Sequence, residues 1–296
     1  MNLTGIIQTI IGGIGSGTIY ALLGLSFTLV FGRLKICSVV HGDLALLAAY
    51  ISFTLFTKTG MDPFLSLIIT VPAFFLIGYM IQNIFLKPFM KLDTWKGRYQ
   101  GQVMTTWGIG MCIMAIEYFI FSGTYKTLNV PYRNKSIAAG NIYIPVVSII
   151  ILAVTIAIVI FIEMLLKKTS LGIKIRACSA DRTTALLSGI HFERICAVTF
   201  GISGSLAAVA GTFYALRNQL GPAEGFNMTF LGWVAVIIGG MGSLKGSLLA
   251  GILMGIIESV EAYLGVPALQ QAVLYIVLIV FLIFRPNGLF RKAAEA

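Results

Sequence analysis

The stretch KKTSLGIKIRACSADRTTALLSGIHFER, residues 167–194, interrupts an otherwise oily chain. It carries six basic and two acidic residues, whereas the whole 296-residue sequence is 58% hydrophobic and 11% charged. Apolar runs flank it at 143–166 and 195–216. Each is long enough to cross a bilayer, which takes about 20 residues. Where this polar insert lies, and what covers it, therefore sets the reading of the chain.

Further apolar runs follow at 5–32, 42–57, 63–86, 102–122, 230–242, 246–264 and 269–284. Mean hydropathy is +0.94. A soluble domain of this size needs far more polar residues to cover its surface. The sequence thus predicts an all-α membrane protein, a polytopic bundle of about eight or nine transmembrane helices.

Basic residues orient it. With nine crossings and the C-terminus inside, sixteen Lys and Arg fall in inside segments and five in outside ones. That asymmetry is the positive-inside pattern. It places the N-terminus outside, the C-terminus inside and residues 167–194 in the cytoplasm. The net charge of +10 then belongs to loops beside a membrane, and no nucleic-acid partner is expected. The opening MNLTG lacks a positive n-region, so the first run is expected to remain as a span. Four cysteines without a C-x-x-C pair and two histidines make a metal centre unexpected, and no cofactor is expected.

The runs 42–57 and 230–242 are short, and glycine-bearing stretches adjoin them, VVHGDLALL and VIIGGMGSLKGS. They read either as broken helices lining a cavity or as ordinary helices with loose ends. GTIYAL at 17–22 and GTFYAL at 211–216 lie in spans of opposite direction, as an inverted repeat requires. Gly13-xxx-Gly17, Gly251-xxx-Gly255 and Ala207-xxx-Gly211 allow close helix approach, inside the chain or between subunits.

Within the insert, Ser179 or Asp181 can cap a helix and Gly189 can end it. The helix between them is expected to run about ten residues. Leu186, Leu187 and Ile190 give it an apolar face that something must cover. Either the span ends do so, or a soluble partner does.

The run G-x-x-x-R-A at 172–177, Asp181, Ala185 and L-x-G-I at 187–190 resembles the cytoplasmic coupling loop of the branched-chain amino acid ABC transporter permeases. FGISGSLAAVAGTFYAL at 200–216, GPAEGF at 221–226, VIIGGMGSLKGSLLAG at 236–251 and FRPNGLF at 284–290 are similar to that family too. So are YALLGLSFTLVFGRLK at 20–35 and HGDLALLAAY at 41–50. The likeness is weakest over 60–145. CSVVHG replaces the family's usual Asn-Phe-Ala-type run before His-Gly, and Asp43 stands where Glu is commoner.

The resemblance implies one permease domain over 1–296 with a coupling loop at 167–194, in a bacterial inner membrane. It implies a second, homologous permease subunit, two cytoplasmic ABC ATPases and an external solute-binding protein. Arg176, Asp181, Ala185, Leu186, Leu187, Gly189 and Ile190 would form the ATPase contact. The chain itself has no G-x-x-x-x-G-K-[ST] and is not expected to be an enzyme.

Polar groups at membrane depth are functional candidates. His41, Gly42 and Asp43 either cap a helix start or face a pathway. Glu258, one turn from Glu261, either pairs with another subunit or meets a passing ammonium group. Gly239, Gly240 and Gly242 mark a helix break on the pathway. Glu117 is expected to reach the outer interface, and Glu163 the inner one. A secondary transporter driven by an ion gradient fits the broken helices equally well but has no need of the polar insert. A membrane enzyme would need clustered His, Asp or Glu that the sequence does not supply.

Overall fold

Local chemistry cuts the apolar runs into helices. In the computed structural model, which describes residues 3–90, 92, 94–133, 135–139, 142–265, 269–285 and 288–290, α1 (Leu3–Phe27) continues into a π-helical turn, Thr28–Arg33. Helix α2 (His41–Thr59) stops at Gly60, whose φ of +71° is the left-handed conformation that glycine adopts freely. Asp62 accepts from Phe64 N at 2.8 Å and Pro63 takes the first position of α3 (Pro63–Met80), a paired start signal. A second π-helical turn, Ile81–Leu86, leads to the short α4 (Lys87–Met90). Thr94 caps α5 (Trp95–Phe121). A small antiparallel hairpin follows, β1 (Ser136–Ala139) with β2 (Ile142–Pro145), pairing Ile137 with Ile144. Then come α6 (Val146–Lys168), α7 (Ser170–Ala180), α8 (Arg182–Leu187), α9 (Phe192–Arg217), α10 (Glu224–Gly239), α11 (Leu244–Tyr263) and α12 (Gln270–Phe284).

Each of the nine apolar runs contains a helix. Among the described residues, six stretches are long and apolar enough to cross a membrane, at Thr4–Arg33, Pro63–Leu86, Lys96–Phe121, Val146–Lys168, Phe192–Arg217 and Leu244–Tyr263. Helix α2 has 19 residues, and α10 and α12 have 16 and 15. Two boundaries differ instructively from expectation. The run expected at 230–242 begins at Glu224 and stops at Gly239, because its first turns are the polar EGFNMT. The run expected from 143 opens as strand β2 and becomes helix only after Pro145.

Helices α1 and α9 form the centre. Both are buried over 83% of their most apolar window, against 22% for α5 and 28% for α6, which lie outside them. They run antiparallel: Ser203 Oγ donates to Ser26 O at 2.7 Å near one end, and Arg217 Nη2 donates to Gly12 O at 3.1 Å near the other. Around them the contacts are symmetric. Helix α1 lies on α11 and α10, and α9 lies on α3 and α2. This is the contact pattern that an inverted repeat of α1–α3 and α9–α11 would give, although the hexapeptides do not align in it. Gly17 touches α11 and Gly24 touches α10, while Gly204 touches α3 and Gly211 touches α2. Gly24 and Gly211 are thus the equivalent pair, so GTIYAL and GTFYAL lie two turns out of register.

The α1–α11 seam settles the small-residue question there in favour of contacts within the chain. A methyl group on Gly17 would sit 2.6 Å from Ile252 Cα, and one on Gly13 would sit 2.6 Å from Ile256 Cα. Gly255 meets the backbone of Gly17 in turn. Such backbone contact replaces hydrophobic driving force where lipid and side chain are equally apolar. Gly17→Ala is expected to destabilise the fold by about 1–3 kcal/mol, as overpacking does. Gly12→Ala, with nothing within 4 Å of the new methyl, is expected not to. Thermal unfolding in detergent, followed for both variants, checks this.

Candidate functional site

The segment between α1 and α2 leaves helical geometry while largely buried. After Arg33 it turns at Lys35, whose φ is +54°, and continues as irregular chain back into the bundle. Ile36, Cys37, Ser38 and Val40 are buried. Backbone groups there must find partners, because neither lipid nor core supplies any. Side chains supply them. Cys37 N donates to Gln102 Oε1 at 3.1 Å, and Val39 N donates to Thr106 Oγ1 at 3.2 Å, both on α5. Thr229 of α10 accepts from Gly42 N at 3.1 Å and donates to Val39 O at 3.0 Å. Helix α2 therefore starts inside the bundle, as the broken-helix alternative requires.

His41 caps nothing. Its Nδ1 lies 3.1 Å from Ser38 Oγ and its Nε2 2.7 Å from Ser203 Oγ, and Phe27 and Phe200 flank the ring at 4.9 Å each. With no exposure, it ties the irregular segment to α9. Gly42 lies against α10: a Cβ there would collide with Gly225 O and Thr229 N. Asp43, in the first turn of α2, sits where the helix dipole favours a carboxylate. Its carboxylate occupies a slot between Gly110 of α5 and Gly225 of α10, either of which would strike it if given a Cβ.

Asp43 opens on a cavity of about 440 Å³ walled by Val39, Trp107, Met111, Met114, Ala223, Phe226 and Asn227. Trp107 and Phe226 meet edge to face at 5.3 Å. Asn227 also borders a second cavity, of about 310 Å³, which holds Glu258. There Tyr20 OH donates to Glu258 Oε2 at 2.5 Å and Gln270 Nε2 donates to Glu258 Oε1. Gly239, Gly240 and Gly242 lie elsewhere, at the tight α10–α11 turn, where Gly240 and Gly242 both have φ +93°. Gly242 borders a third cavity, of about 630 Å³, with Arg33, Arg176 and Lys245. The residues expected to share a pathway thus fall at three places.

One carboxylate differs from expectation. Glu117 does not reach an interface: it is 1% exposed, and neither oxygen has a partner. Glu261 is buried too, with both oxygens unpartnered. Helix α5 turns Glu117 towards α2, which is why distance from the helix end misjudged it. Glu163 is held at its helix end by Lys167 at 2.6 Å and Lys245 at 3.8 Å.

At the same end of the bundle the insert 167–194 folds into an elbow. The expected ten-residue helix is the six-residue α8, and a further helix that was not expected, α7, precedes it. Helix α7 ends at Ala180, Asp181 is extended, and α8 has six residues. Asp181 caps α8, accepting from Thr183 N at 3.2 Å and Thr184 N at 2.8 Å, with the Thr184 hydroxyl at 2.5 Å. These bonds hold its carboxyl below the usual range. The cap is therefore fully formed above about pH 4, the ordinary Asp value, and is lost only as pH falls through the lowered one. Gly189 ends the elbow at φ +77°. Arg176 donates to Leu166 O of α6, and Arg182 donates to Met90 O at 2.7 Å while lying over the Phe192 ring at 4.8 Å. Ala185 is buried and Ile190 is half-buried, but Leu186 is 49% and Leu187 85% exposed.

A polytopic helical bundle with a side-chain-braced interior break and a pinned elbow at its end fits a membrane transport permease, and the family comparison shows that class. The chain belongs to the family described as branched-chain amino acid transport system / permease component, whose family model matches residues 9–282. It is 28% identical to the high-affinity branched-chain amino acid transport system permease protein BraD of Pseudomonas aeruginosa, over 97% of this chain and 96% of that one. It is 27% identical to LivH of Escherichia coli, over 97% and 96%. The probable branched-chain amino acid transport permease protein LivH of Methanocaldococcus jannaschii is 25% identical, over 94% and 90%. No solved structure matches the chain.

Gln102, Thr106, Thr229 and Ser203 escaped the sequence reading. None stands alone in an apolar run: Gln102 follows Gln100, Thr106 follows Thr105, Ser203 is two residues from Ser205 and Thr229 closes EGFNMT, so no local pattern marks them. Thr229→Val keeps the shape and removes the hydroxyl that serves both Gly42 and Val39. It is expected to destabilise the protein by about 1–3 kcal/mol, the range for stranding a buried backbone group. Thr54→Val, whose hydroxyl bonds only Tyr50 O of its own helix, is expected to have a far smaller effect in the same unfolding assay.

Proposed function

We propose that this chain is the transmembrane subunit of an ATP-binding cassette importer that carries branched-chain or related amino acids across a bacterial inner membrane. Two cytoplasmic ATPase subunits drive it, a second homologous permease completes the pathway, and an external binding protein delivers the solute. The names of the relatives support the solute class. The end of the bundle bearing Arg33, Lys87, Lys167, Arg176 and Lys245 faces the cytoplasm, by the positive-inside rule. The N-terminus is then outside and the C-terminus inside. Of the C-terminal basic residues behind that reading, Arg291 and Lys292 lie outside the described residues, as do Pro286 and Asn287 of the final motif.

The observation that carries the reading is the exposed leucine pair on α8. An isolated helix of six residues has no stability of its own in water. Here Asp181, Gly189 and buried Ala185 hold it in place, and the hold turns Leu186 and Leu187 outward. Two adjacent, fixed, exposed leucines suit a groove on a soluble partner, and the ATPase is that partner. Closure of the ATPase pair then moves the elbow. Arg182 on Met90 and the Lys87–Glu193 pair at 3.0 Å tie the elbow to α4 and α9. Arg176 ties it to α6. The push thereby reaches α9, whose Ser203 holds His41 and with it the interior break that opens on Asp43.

Leu186→Asp with Leu187→Asp is expected to leave the protein inserted and to abolish ATP-driven uptake of leucine in proteoliposomes; uptake at the normal rate in a correctly assembled complex would remove the docking role. The orientation is tested separately. With Cys112, the one exposed cysteine, replaced, Lys135→Cys should react with an impermeant maleimide in cells whose outer envelope is opened, and Lys245→Cys should not. The reverse pattern would invert the topology.

A further inference from the structure

The seam between α2 and α5 holds buried polar groups that the scheme above leaves unused. The two helices run parallel. Asp43 meets Gly110 at one level, and two turns on, Tyr50 stacks on Phe121 with ring centroids 4.1 Å apart. Glu117, seven residues after Gly110, therefore lies on the same face of α5, level with Tyr50 in the middle of α2. Tyr50 is 0% and Glu117 1% exposed. The Tyr50 hydroxyl and both Glu117 oxygens lack any hydrogen-bond partner. None of the ion pairs among the described residues involves Glu117 or Asp43. An unpaired buried carboxyl is strongly unfavourable in either protonation state, because it forfeits both water and a partner. Such a group in a native protein calls for a ligand that supplies the missing donors.

The surroundings select that ligand. Met114, one turn before Glu117, and Gly110, two turns before it, line the 440 Å³ cavity, so α5 carries the cavity wall and the Glu117 carboxyl on neighbouring turns. The cavity walls are Trp107, Met111 and Phe226, apolar and aromatic, with the Asn227 amide as a polar exception. A donor-rich cation on a short aliphatic body fits both parts. We infer that Glu117 and Tyr50 form an ammonium-recognition site for the transported amino acid, with Asp43 the next carboxylate along the same seam and the Trp107–Phe226 cavity receiving the aliphatic side chain. A primary ammonium brings three N–H donors to acceptors that have none. This rests on the import reading and deepens it.

The test uses the assembled complex in nanodiscs, with Trp95→Phe and Trp233→Phe leaving Trp107 as the only tryptophan of this chain. A partner chain's tryptophans are likewise replaced by Phe, and retained leucine uptake validates the background. Three probes separate the groups of the substrate: leucine, 3-methylbutylamine, which keeps the ammonium, and 4-methylpentanoate, which keeps only the carboxylate. Leucine and the amine are expected to shift Trp107 emission, and the acid is not. Glu117→Gln should weaken amine binding by about tenfold or more, the loss for a hydrogen bond to a charged group. It should also raise the KM of leucine uptake more than it lowers kcat. Tyr50→Phe, which removes one oxygen, should weaken binding less, and it keeps the test decisive if Glu117→Gln fails to assemble. Equal binding of acid and amine, or amine affinity unchanged in both variants, would overturn the site. Normal leucine uptake with Trp107 silent to all three probes would also overturn it while import stands. Amine binding that Glu117→Gln weakens, in a complex that carries no amino acid, would uphold ammonium binding at this place but overturn the import reading and with it the site's role in transport.

Discussion

Everything in this fold turns on one requirement: a backbone that leaves helical geometry inside a membrane bundle must have each N–H and C=O met by protein. Residues 34–40 break that geometry between α1 and α2. Gln102, Thr106 and Thr229 meet the exposed groups, and each sits on a different part of the chain from the segment it serves. The break in turn fixes where α2 begins, and so places Asp43 inside the bundle rather than at its surface. A fully helical α1–α2 connection would satisfy itself and would leave no interior helix start to face a cavity.

Close approach makes these bonds reachable. The side chains of Thr229 and Ser203 are short, so their helices must come within contact of the segment. Gly42 gives α2 that contact with α10, and Ser203 reaches His41 because α9 runs through the centre beside α1. The internal two-fold arrangement does the same at larger scale. Helices α1 and α9, back to back, each carry two helices of the opposite half, so the break in one half is braced by α10 of the other. Stability and site geometry are thus one problem here, and the same glycines serve both.

Features encoded by neighbouring residues were legible in the sequence, and those encoded by distant ones were not. The nine apolar runs were readable because hydropathy is local. Asp181 and Gly189 were readable as the ends of a helix because capping involves residues two or three apart. The length of that helix was overestimated, because α8 starts after Asp181 and stops at Leu187, before Gly189, and the separate helix Ser170–Ala180 was not expected. The start of α10 at Glu224 was missed because a helix covered by protein can open with polar residues that a hydropathy count discards. The braces of the 34–40 segment lie 65, 67 and 190 residues away, beyond any local pattern. Glu117 was misplaced for the same reason: its burial comes from α2, some seventy positions earlier in the chain.

The central claim is that this permease works only as one part of an ATP-driven assembly. The direct measurement is purification of the chain from its native membrane in mild detergent, with the accompanying polypeptides identified by mass and the eluate assayed for ATP hydrolysis. The account predicts a second, homologous permease and P-loop ATPases in the eluate, with ATP hydrolysed. A chain that purifies alone or only with copies of itself, without ATPase activity, would contradict it and favour uptake driven by an ion gradient.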